Sequence, residues 1–139
     1  MKIILQSGDT FILRFDPGEE LLSRLLAWCE AEKITAATLS VIGAAGETEL
    51  RFYDVGTKQY VDQLFVEDLE ITGLLGNVAV LDDKPVLHVH STFGRRDMSA
   101  LAGHVKRCVI SVTAEVVLTR LVGTMRREPV PGTGLNLLA

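Results

Sequence analysis

The chain has 139 residues, a mass of 15.2 kDa, 47% apolar and 23% charged side chains, and a formal net charge of −4. Those values describe one ordinary globular domain over residues 1–139 and exclude a disordered chain, a collagen-like rod and a disulfide scaffold. No apolar run approaches the roughly 20 residues of a membrane helix, and a pI near 5.3 is not that of a domain built around a basic DNA-binding stripe.

In chain order, Lys2–Gln6 and Thr10–Phe15 read as short strands around a Ser7-Gly8-Asp9 turn. A helix is predicted next, capped by Asp16, with Pro17 at its first position and Glu19 closing a capping box. It runs to about Lys33. Leu21, Leu22, Leu25, Leu26 and Cys29 form its apolar stripe, and Trp28 flanks that stripe.

The rest reads mostly as β. Ala36–Ile42 is a strand buried on both faces, and Glu47–Tyr53 alternates polar with apolar. Gln59–Val61 and Leu69–Leu75 follow as separate strands, with Gly73, Gly76 and Asn77 marking a break or bulge. Asn77–Leu81 and Val86–Thr92 form a hairpin around Asp82-Asp83-Lys84-Pro85. Met98–Ala102 reads as a short helix, and Cys108–Val112 and Ala114–Val122 as the last strands. The core spans about residues 9–122, and 123–139 read as an extended or mobile tail. One long helix with eight or nine strands is an α+β domain, mostly antiparallel and barrel-like.

Cys29 and Cys108 are not in a C-x-x-C pair and are expected to be buried and reduced, as in a cytoplasmic protein. The first residues hold too short an apolar stretch for a signal peptide, and no lipidation signal is read at either end. No membrane association is expected. Charge is uneven: residues 1–87 hold 7 basic and 15 acidic side chains, residues 88–139 hold 7 and 3. Arg95, Arg96, Lys106 and Arg107 are the candidates in that basic portion for nucleic-acid contact.

All three histidines fall in one short stretch. His88 and His90, two apart on a predicted strand, leave the same face. His104 follows a glycine-containing loop that returns the chain beside that strand, and Gly103 permits close backbone approach. Three imidazoles with an open fourth position are a known arrangement for zinc, so His88, His90 and His104 are the candidate ligands for zinc or another divalent transition metal. The alternative is that they are packed or hydrogen-bonded histidines without an ion. Cys108 is a candidate fourth ligand, with a buried thiol the leading alternative. Arg95 or Arg96 are candidates to hold a carboxylate or phosphate. Glu115, in the apolar run Ala114–Leu118, is a candidate proton-transfer residue, with a structural role the leading alternative.

The stretch from Leu69-Glu70-Ile71 through Gly76-Asn77, Pro85-Val86-Leu87-His88-Val89-His90, Gly94, Asp97 and Gly103-His104 to Thr113-Ala114-Glu115-Val116-Val117-Leu118 resembles the PPC domain, the plant and prokaryote conserved domain. Pro17-Gly18-Glu19-Glu20, Ile42-Gly43-Ala44, Tyr53-Asp54 and Lys58-Gln59-Tyr60 extend the resemblance over about residues 9–122. It implies a compact α+β homotrimer with a DNA- or transcription-associated role. The sequence holds no Arg-Gly-Arg-Pro AT-hook. Glu67-Asp68-Leu69-Glu70-Ile71-Thr72 stands where plant members have Gly-Arg-Phe-Glu-Ile-Leu. The implied fold is also similar to that of acetolactate decarboxylase, whose zinc ligands carry over only onto His88, His90 and His104. The alternative function is therefore a metal-dependent enzyme, decarboxylase-like lyase or hydrolase, acting on a small carboxylate or keto acid. A purely structural role for the histidines or their ion in the trimer is the third alternative.

Overall fold

A computed structural model describes residues 1–139. Its elements are β1 (Lys2–Ser7), β2 (Thr10–Phe15), α1 (Leu21–Ala31), β3 (Ala37–Asp54), β4 (Gln59–Leu81), β5 (Lys84–Gly94), β6 (Ala100–Arg120), β7 (Arg127–Val130) and β8 (Leu135–Leu138). This is the expected α+β class, antiparallel with one helix packed on the sheet. No helix is long and apolar enough to cross a membrane.

Hydrogen bonding runs β1-β2-β6-β3-β4-β5, and β5 pairs again with the first residues of β6. Strands β3 to β6 therefore close on themselves. Closure needs long, bent strands, and the bends come from register shifts at Val41/Gly43, Ala45/Glu47 and Glu49/Leu50. Gly43 lies at one of them with φ 151°, and a side chain there would overlap the Thr113 carbonyl. Inside lie Leu39, Val41, Val89, Phe93, Val105 and Val116, closed off by the Leu21-Leu25-Cys29 face of α1. Trp28 meets Phe11 edge-on at 5.1 Å. Both cysteines are buried and unpaired.

Several boundaries depart from the sequence reading. The helix starts at Leu21 with Glu20 as its cap. The Glu20 carboxylate accepts from the Leu22, Ser23 and Cys108 amides at 3.2, 2.7 and 3.0 Å. Asp16 does not cap: the chain turns at Gly18 (φ 83°), and Gly18 and Glu19 hydrogen-bond to Ile110 of β6 before the helix begins. Asp16 instead pairs with Lys2 and Arg14. The helix also ends early, because Lys33 adopts φ 55° and the Lys33 and Ile34 amides bond back to the Glu30 and Cys29 carbonyls.

Gln59–Leu81 is one strand. Gly73 sits at a register shift, but Gly76 does not: a side chain there would overlap the His88 carbonyl and the Val89 side chain. Gly76 is thus a close-approach residue that lets β4 press on the histidine strand. Met98–Ala102 is not a helix. Met98 is in a turn (φ 67°), and Ala100 already pairs with Gly94. Residues 123–139 are not a free tail. They carry the β7–β8 hairpin, which docks through the Val80 amide to the Met125 carbonyl (2.8 Å) and the Tyr53 hydroxyl to the Thr133 carbonyl.

Candidate metal centre

Strand geometry brings the three histidines together. His88 and His90 alternate with core-facing Val89, so both leave the outer face of the closed sheet. As expected, the chain returns beside that strand: His104 lies on β6, directly across from His90. Gly103 beside it faces the Arg51 carbonyl, which a side chain there would approach to 3.3 Å.

The rings form a nearly equilateral triangle, with centroids 5.1, 5.2 and 5.2 Å apart. His88 Nε2 and His90 Nε2 are 3.2 Å apart, and one nitrogen from each ring lies within 4.8 Å of the others. Two nitrogens at roughly 2.0–2.1 Å from a tetrahedral ion are about 3.3 Å apart. The donor set and its spacing therefore fit a divalent transition metal. Burial pushes His104 down to about 4, with the other two histidines, Arg51 and Arg127 adding to the effect. Burial, then Arg127 and His90, lowers His88 as well. Both shifts favour the neutral imidazole, the form that ligates a metal.

The surroundings come from residues that the sequence reading did not assign to the histidine site. Tyr60 lies 5.8 Å from His104, ring to ring, and carries Arg51 over its face at 4.4 Å. Arg51 is held by both Asp62 oxygens, at 3.0 and 2.9 Å. From the hairpin, Arg127 donates to Asn77 Oδ1 at 2.9 Å and lies 3.2 Å from His88 Nδ1. Asn77 was legible in principle, since a tight turn at Asp82-Asp83 places it opposite His88. Nothing local in the sequence ties Arg127 to His88.

The other candidates stand elsewhere. Cys108 is fully buried, and desolvation pushes its thiol up to about 12. It is not among the clustered ligands. Glu115 is exposed on β6, opposite Ile42 and Arg14, eleven residues along the strand from His104. Arg95 pairs with Glu67 at 2.7 Å and lies over Phe65. With Arg96 it lines a separate cavity. Lys106 is held by Glu49 and Asp62, each at 2.8 Å, and Arg107 by Glu47. Arg96 is exposed and has no carboxylate in ion-pair range.

A family model described as the Plants and Prokaryotes Conserved (PCC) domain matches residues 4–122. No curated protein matches. A Bacteroides thetaiotaomicron protein named as a candidate DNA-binding protein is 34% identical over 97% of this chain and 94% of its own, with a TM-score of 0.94. A metal-containing protein of Archaeoglobus fulgidus is 33% identical over 100% of this chain and 99% of its own, with a TM-score of 0.87. Alpha-acetolactate decarboxylase of Bacillus subtilis is 12% identical over 88% of this chain and 57% of its own, with a TM-score of 0.58. That last likeness is one of fold alone.

Proposed function

The chain belongs to the Plants and Prokaryotes Conserved (PCC) family, the PPC domain of the sequence resemblance, and on that footing we propose that it works through a metal centre held by His88, His90 and His104. Zinc is the first expectation, because three imidazole ligands leave the open position of a zinc site. The observation that carries this reading is the ring triangle with its 3.2 Å nitrogen pair. A metal-containing relative at 33% identity supports it. An ion held there supplies Lewis acidity, to polarise a carbonyl or lower the pKa of water. The chain's own part is to hold it, with Tyr60 and the β7–β8 hairpin limiting water access.

Metal analysis after equilibration with Zn²⁺ tests the reading. One ion per chain is expected in the wild type and none in His90→Ala. No uptake by the wild type overturns it.

A homotrimer is part of the proposal. Ile42, Leu75, Val112 and Val117 are exposed apolar side chains on the strands, a surface suited to burial between copies. Sedimentation at three times 15.2 kDa is the expected result. The buried, unpaired cysteines suit a cytoplasmic location.

A DNA- or transcription-associated role is the second reading, favoured by the relative at 34% identity that is named for DNA binding. Arg95, Lys106 and Arg107 are each already paired with a carboxylate, which leaves little free charge for phosphates. A gel shift whose affinity falls steeply with salt supports direct binding, and no shift at low salt removes it.

A further inference from the structure

We propose that Arg127 is the anion-holding residue of the histidine site, and that its ligand is a small carboxylate seated between the guanidinium and the ion. This rests on the metal reading above. The sequence pointed to Arg95 or Arg96 for that role, but they line a different cavity.

Arg127 stands apart in its charge balance. Every other arginine except solvent-exposed Arg96 lies in ion-pair range of a carboxylate. Arg127 is half-buried and meets only neutral acceptors: Asn77 Oδ1 at 2.9 Å, the Asn136 carbonyl at 3.2 Å and His88 Nδ1 at 3.2 Å. Its Nε is shielded from solvent and has no partner. A desolvated cation without a counter-ion is costly, and an anion relieves that cost.

The cavities around the histidines hold no such anion of the protein's own. One, of about 290 Å³, lies between Tyr60, His88, His104, Arg127 and the hairpin. The other opens on His90 and Tyr53. Neither is lined by Asp or Glu. A divalent ion held by the three imidazoles would add two further positive charges beside Arg127. A carboxylate can place one oxygen on the ion and the other on the guanidinium. The walls beyond that point are apolar, with Leu87, Leu135 and Leu137 among them, and suit a short carbon body. A phosphate dianion calls for more donors than this cavity offers.

The probes are acetate and inorganic phosphate, titrated into the full chain loaded with Co²⁺ and read by the cobalt visible spectrum. The same anions are titrated calorimetrically into the metal-free chain. Acetate is expected to change the wild-type spectrum. Arg127→Met is expected to weaken acetate at least tenfold while changing Co²⁺ affinity less than threefold. Arg127→Lys, which keeps the charge and the aliphatic stem, is expected to recover most of the loss. This separates lost charge from an undocked hairpin. Acetate affinity equal in wild type and Arg127→Met, or phosphate preferred over acetate, overturns the proposal. If the wild type takes up no Co²⁺ the metal reading falls, and the metal-free titration decides on Arg127 alone: acetate tenfold weaker in Arg127→Met sustains the subsite, and equal or absent binding overturns it.

Discussion

A cavity of about 770 Å³ lies beside Arg95 and Arg96, whereas the cavity between His88, His104 and the C-terminal hairpin is about 290 Å³. In the larger one acids and bases stand together: Asp68 and Glu70 share its lining with the two arginines, and Glu67 already pairs with Arg95. In the smaller one the imidazoles of His88 and His104 and the Arg127 guanidinium converge with no acid among them, and His90 completes the triangle from the adjoining cavity. Size alone points to the first region and chemistry to the second. What distinguishes a site here is charge and donor capacity left unsatisfied by the fold, not the volume of the hollow.

The largest effect expected from that difference is on metal affinity. His90→Ala leaves two ligands and is expected to weaken Zn²⁺ at least about 100-fold, measured by competition with a chelating dye. Glu115→Gln, eleven residues along β6 from His104, is expected to leave it unchanged. Equal losses in both would erase the contrast between the regions.

Gly76→Ala sharpens it from the side of the backbone. The added methyl collides with the His88 carbonyl and Val89, so β4 and β5 must separate at the ligand strand. A stability loss of about 1–3 kcal/mol is expected in urea unfolding, with a weaker metal site. Unchanged metal affinity would mean that the histidine triangle tolerates displacement of its strand.

A third region serves as a control on pH. The Met1 ammonium, the Asp16 amide and Arg24 hold the Glu19 carboxyl at about 2, below its ordinary 4.5. A lowered folded-state pKa gives stability that is present above about pH 4.5 and lost as pH falls towards 2. After solvent screening that is about 1–2 kcal/mol. Glu19→Gln is expected to reduce stability at pH 7 and to flatten the acid limb of the unfolding profile between those values. A limb as steep as the wild type's would remove Glu19 from the account.

The smallest effect belongs to the larger cavity. Arg95→Met breaks the surface ion pair with Glu67 and is expected to leave the urea unfolding midpoint nearly unchanged, with metal affinity within threefold of wild type. A larger loss of metal would join the two regions that the structure separates.

Much of this contrast was legible in the residues. Two histidines at strand spacing must share a face, and the one helix and the antiparallel class followed from periodicity. The Asp82-Asp83 turn was legible as well. Long-range closure was not. That His104 faces His90 across β5 and β6 depends on a strand pairing that local pattern does not encode. The helix start was misread because Asp16-Pro17-Gly18-Glu19 carries the capping residues, while tertiary pairing of Gly18 and Glu19 with Ile110 takes up that backbone first. Arg127 was invisible because the residues around it carry turn-forming prolines and glycines, and only docking onto Asn77 and His88 gives them a place.

X-ray absorption at the zinc edge of the Zn²⁺-loaded protein tests the central claim most directly. The structure predicts three nitrogen ligands at roughly 2.0–2.1 Å with imidazole outer-shell scattering, a fourth light-atom ligand, and loss of that signature in His90→Ala. A sulfur shell at about 2.3 Å, or oxygen ligands without imidazole scattering, would contradict it.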